Sequence, residues 1–66
     1  MRLVVNRLHS NGGVNAIAEY NVTDWCILVF PSIQAAEFFA SINDMELAYT
    51  DDVRAQMEMA DKQNGH

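Results

Sequence analysis

Apolar and polar positions along this chain first alternate with a period of two and later recur with a period near 3.6. Residues 2–9, Arg-Leu-Val-Val-Asn-Arg-Leu-His, are rich in branched side chains and predict a strand. Asn11-Gly12-Gly13 follows, and Asn-Gly is a strong hairpin signal because both residues tolerate positive φ. Residues 14–22 then alternate, with Val14, Ala16, Ala18, Tyr20 and Val22 on one side and Asn15, Ile17, Glu19 and Asn21 on the other. That pattern predicts a half-buried strand. Ala16 and Ala18 are poor strand formers, but their small size leaves room for a bulky group above them. After a second turn signal at 21–24, residues 25–30 are apolar at every position. A run of this kind predicts a strand covered on both faces, or one in the sheet centre.

The period changes at Pro31-Ser32. Ser32 is a natural N-cap. Ile33, Ala36, Phe39 or Ala40, and Ile42 form a helical stripe that closes at Asn43-Asp44. Met45 to Tyr49 is a short connector with the capacity to add a fourth, edge strand. Thr50 caps a second helix, with Asp51 and Asp52 at the positive end of its dipole. Its inner stripe is Val53, Met57 and Ala60 or Asp61. Glu58 and Lys62 are spaced for a pair on its surface, and Asn64-Gly65 provides a stop.

The expected fold is therefore α+β. Three antiparallel strands (about 2–9, 14–22 and 25–30) are followed by two helices (about 32–43 and 50–63) in a single domain, 1–66. The second helix either covers the sheet further or projects for docking. The expected core comprises Val5, Ala16, Ala18, Ile27, Val29, Ile33, Ala36, Phe39, Ile42 and Val53.

Size changes the picture next. A domain near 60 residues buries only roughly 60% of its unfolded surface. With one cysteine the chain cannot staple itself internally by a disulfide. Self-association, as in a homodimer, or docking on a protein target is the remaining usual aid. Segment 25–42 carries one charge, Glu37, but Pro31, Ser32 and Gln34 interrupt it, so a membrane span is not expected. A lone cysteine and an N-terminus without a long apolar run fit a reducing, cytoplasmic compartment.

The chain carries nine acids against four Lys and Arg, for a net charge of -5, and the charge is uneven. Arg2 and Arg7 make the first hairpin mildly basic, while the acids concentrate in the C-terminal half. The densest group is Asp44, Glu46, Asp51 and Asp52. Its spacing does not match a calcium loop, and the required glycine is missing. Capping with solvation, or a partner-facing acidic surface, are the two readings of it. His9, His66 and Cys26 show no zinc spacing. Cys26 sits in an apolar strand and reads as a small hydrophobe. Ser10 and Ser32 lack a nucleophile elbow, and the Gly12-Gly13 turn lacks the lysine of a phosphate loop. No catalytic group, metal site or cofactor is expected, and the chain reads as a non-enzyme.

The function expected from these features is a small acidic protein-binding module that modulates or inhibits a protein target. Its expected contacts are Asp44, Glu46, Tyr49, Asp51, Asp52 and Met59, with Tyr49 and Met59 supplying an apolar face beside the acids. An alternative is a nucleic-acid-contacting regulator using Arg2, Arg7 and Tyr20 on the outer face of the hairpin. The acidic balance argues against nucleic acid as the main partner. A third reading is a minor subunit of a larger assembly. In length and acidity the chain resembles the small accessory proteins that phages and mobile elements make against host factors. That resemblance rests on no motif and carries no residue across.

Overall fold

The computed structural model describes residues 1–64, with side chains through residue 60. The elements run β1 (Arg2–Leu8), β2 (Val14–Glu19), β3 (Trp25–Phe30), α1 (Ile33–Ile42), β4 (Glu46–Tyr49) and α2 (Asp51–Asn64). The expected α+β arrangement of one sheet and two helices is present, with one correction. The sheet has four strands rather than three and is mixed rather than antiparallel, in the order β3-β2-β1-β4. β1 and β4 pair in parallel from Arg2↔Glu46 to Val5↔Tyr49. Parallel neighbours require a long crossover, and α1 lies in that connection. The sequence pattern understates β4 because it is only four residues long and contains Glu46 and Ala48, both weak strand formers.

The turns follow from local chemistry. At the β1–β2 hairpin Gly12 has φ 93, and His9 and Gly13 close the ladder with a 2.8 Å hydrogen bond from the His9 N–H. β2 ends at Glu19, three residues before the expected limit, because Tyr20 to Asp24 form a tight turn. There the Asn21 Oδ1 accepts from the N–H groups of Thr23 and Asp24, each at 2.9 Å. Such a side-chain acceptor replaces the ladder partner those amides would otherwise need.

Ser32 caps α1 by accepting from the Ala35 N–H at 3.1 Å. The far end of α1 is a Schellman turn. Asp44 takes the left-handed position at φ 55, and the Met45 N–H donates to the Ala40 carbonyl at 2.8 Å. The reversal buries Met45 and delivers the chain into β4. Thr50 caps α2 by accepting from the Val53 N–H at 3.3 Å.

One side of the sheet carries the core: Leu3, Val5, Val14, Ala16, Ala18, Ala36, Ala40, Met45 and Val53. Phe30 and Phe39 pack at its border with ring centroids 5.3 Å apart. α1 contacts all four strands. Ala16 and Ala18 share that core with two small residues of α1, Ala36 and Ala40. α2 docks on β1 through buried Val53 and half-buried Met57, while Ala60 is exposed. The molecule is accordingly elongated, 41 × 20 × 18 Å. The Glu58–Lys62 pair and the stop at Gly65 fall outside what is described.

Three expected core residues are not in the core. Ile27 and Val29 lie on the opposite face of the sheet, and Ile42 is exposed at the end of α1. The reason for the first two is that the helices pack on one face of the sheet and Ile27 and Val29 belong to the other. No helix among the described residues is long and apolar enough to cross a membrane.

Candidate functional site: the open face of the sheet

Both helices lie on the side of Leu3, Val5, Ala16 and Ala18, so strand parity assigns every other residue to an uncovered face. That face presents Trp25, Ile27 and Val29 from β3, Asn15, Ile17 and Glu19 from β2, Arg2 and Val4 from β1, and Glu46 and Ala48 from β4. An irregularity between Val5 and Arg7 shifts the register, placing Arg7 opposite Asn15 and so on the open face as well.

Its centre of gravity is β3. Trp25 is 60% exposed, Ile27 59% and Val29 72%. Beside Trp25, the turn held by Asn21 leaves Val22 99% exposed. Ile17, Glu19, Asn21, Val22 and Trp25 line an open groove of about 380 Å³. Single exposed apolar residues need no explanation, but a contiguous apolar group rimmed by polar residues marks an interaction surface.

The rim is electrically balanced. Arg2 and Glu19 form an ion pair at 2.8 Å. With Arg7 and Glu46 the face holds two positive and two negative groups, although the whole chain is at -5. The His9 ring and the Asn15 Oδ1 lie 2.7 Å apart at one end of the sheet.

The residues expected from the sequence to form a binding surface are spread from the end of α1 through β4 to α2. Asp44 is the left-handed residue that ends α1, and Asp51 and Asp52 occupy the first turn of α2. These acids stand beyond opposite ends of β4. Glu46 belongs to the open face. Tyr49 belongs to the helix side, where it is half-buried against the core. Burial, reinforced by the charge of Glu37, pushes its hydroxyl above the usual tyrosine range. Met59 is exposed on α2, about 12 Å along the axis from Asp51 at 1.5 Å per residue.

The hairpin constellation is also divided. Arg2 and Arg7 sit on the open face at opposite ends of β1. Tyr20 continues the parity of Ala16 and Ala18, and its hydroxyl accepts from the Cys26 thiol at 3.9 Å on the helix side. The neighbouring Cys26 sulfur, with a smaller part from burial, holds the Tyr20 hydroxyl above its ordinary range. Tyr20 nevertheless lines a groove with Arg2, Glu19 and Glu46, while Arg7 lies at the far end of β1. Among the described residues no group of three or more His, Cys, Asp or Glu is placed to hold a metal ion.

Sequence reasoning missed Trp25, Ile27, Val29, Ile17 and Val22 as site residues. A signal was present in the element count. Two helices with narrow apolar stripes cover one face of a sheet, so an all-apolar strand leaves every second residue without a cover.

No family model matches this chain, and neither a curated protein nor a solved structure matches it.

Proposed function

We propose that this chain is a non-enzymatic protein-binding module that modulates or inhibits a protein target by occupying its surface. It meets that target through the helix-free face of the sheet. The observation that carries the reading is the exposure of Trp25, Ile27 and Val29 in sequence on one strand, each by more than half. The partner that fits is a protein with an apolar contact area and a rim of mixed charge, because the face offers apolar centre and balanced edge together. The acidic residues Asp44, Asp51 and Asp52 have local roles at helix ends and stand outside this contact.

The test is capture from lysate of the native host after nuclease treatment. Three baits are compared: the unaltered chain, Ile17→Lys, and Asp51→Lys with Asp52→Lys. Ile17 is half-exposed at the middle of the open face, so lysine there introduces a charge at the contact without touching the core. A captured protein lost with Ile17→Lys and retained with the two aspartate reversals supports the sheet-face contact. The opposite pattern overturns it in favour of the acidic surface. Capture that disappears with nuclease overturns it in favour of nucleic acid.

A further inference from the structure

β3 has a second property, independent of what docks on the face. The Tyr20 N–H donates to the Asp24 carbonyl at 2.9 Å, which makes Tyr20 and Asp24 a hydrogen-bonded antiparallel pair. Such pairs recur at every second position. Along the observed register they are Ala18↔Cys26, Ala16↔Leu28 and Val14↔Phe30. Cys26, Leu28 and Phe30 thus spend their backbone groups on β2. The N–H and C=O groups of Trp25, Ile27 and Val29 point the other way, along the free edge of the sheet.

Proteins normally guard such an edge with a charge, a proline, a bulge or short length. The opposite edge follows that rule: β4 has four residues and begins with Glu46. β3 has six residues, Trp-Cys-Ile-Leu-Val-Phe, with no charge, no proline and an unbroken register to β2.

We propose that β3 pairs antiparallel with β3 of a second copy of this chain, on a two-fold axis at Ile27. That register is self-complementary. Ile27 faces Ile27 of the second copy, and Trp25 faces Val29 of the second copy twice, all with outward-pointing backbone groups. Aromatic and β-branched residues directly opposite are favourable cross-strand pairs. Asp24 falls opposite Phe30, so two chains of net charge -5 meet without an acid against an acid. Pro31, which has no N–H, ends the ladder at the other side. The product is a continuous eight-stranded sheet in which the two sets of Trp25, Ile27 and Val29 adjoin on one face. The pairing does not depend on the docking reading above, since it uses the edge and leaves the face open.

Sedimentation equilibrium tests it. The unaltered chain should move from 7.4 kDa toward twice that mass as concentration rises to roughly 1 mM. Ile27→Lys and Ile27→Glu, each set against itself at the axis, should weaken association roughly tenfold or more. An equimolar mixture of the two should restore it. Val4→Lys, on the same face but two strands from the edge, should leave association unchanged.

Amide exchange on the unaltered chain needs no variant. Protection of Trp25, Ile27 and Val29 should rise with concentration, while that of Cys26 and Leu28 stays constant. A mass fixed at 7.4 kDa overturns the proposal. So does a mixture that fails to associate, or loss of association with Val4→Lys, which would indicate face-on packing. Self-association that leaves the three amides unprotected also overturns it.

Discussion

Val5→Ala and Val29→Ala delete the same two methyl groups from strand positions of one sheet, and the structure assigns them different costs. Val5 is 0% exposed, in contact with the core beneath the helices. At ~0.8 kcal/mol per buried methylene, the lost transfer energy is roughly 1.6 kcal/mol. The void left in a packed interior raises the total to about 2–3 kcal/mol. Val29 is 72% exposed, so a little over a quarter of that transfer energy, about 0.4 kcal/mol, is at stake. No cavity forms, and the lower strand propensity of alanine brings the total to no more than ~1 kcal/mol.

At 0.05–0.15 kcal/mol per residue, the whole domain has a stability of about 3–10 kcal/mol. The first substitution therefore removes a large share of it and the second does not. At roughly 4–8 °C per kcal/mol for a chain of this size, Val5→Ala should lower Tm by about 10–20 °C. The assay is urea unfolding followed by far-ultraviolet circular dichroism, at low micromolar concentration so that self-association does not contribute. Equal losses for the two variants, or a larger loss for Val29→Ala, would refute the assignment of β3 to an uncovered position.

Three further outcomes follow from individual contacts. Folding raises the Tyr49 hydroxyl above its unfolded value near pH 10, so its contribution is complete below that pH and is lost as pH rises through the folded value. The urea midpoint should therefore fall as pH rises above about 10, and fall less in Tyr49→Phe. Gly12→Ala places a side chain at φ 93 with nothing within 4 Å of the new Cβ. Its cost is then backbone strain alone, about 1 kcal/mol, read from the same unfolding curve. Arg2 and Glu19 are largely exposed, so a double-mutant cycle on their ion pair should return less than ~1 kcal/mol, reduced further by salt.

Most local elements were legible because each follows from chemistry within a few residues. The Ser32 cap, the Asn11-Gly12 hairpin and the alternation from Val14 to Ala18 determine their own conformations and appear where the pattern puts them. β4 was only partly legible, since its identity depends on pairing with β1 more than 40 residues away in sequence. The misplacement of Ile27 and Val29 has a different cause. A continuous apolar run states that a strand can be buried on both faces, not that a second layer exists to bury it. The scattered acids show the converse limit. Asp44, Asp51 and Asp52 look like a cluster in one dimension, but β4 separates them, and each already serves a helix end. Tyr20 and the two arginines were linked by proximity in sequence; Tyr20 shares a groove with Arg2, while the length of β1 separates both from Arg7.

The unguarded edge and the uncovered face are physically one feature, because the same three residues make both. In an antiparallel strand each residue fixes together the direction of its side chain and that of its backbone groups. On β3, parity with β2 turns Trp25, Ile27 and Val29 away from the helices, and the hydrogen-bond register turns their amides away from β2. A charge at any of these positions would guard the edge and interrupt the face in one step. The chain instead keeps all three apolar while placing its excess of acids elsewhere, at the helix ends and on α2. A sequence under pressure only to remain soluble at this size gains from a lysine on an edge strand. Here Trp, Ile and Val stand at those positions instead, and both helices cover the opposite face, which is the feature on which the proposed contacts rest.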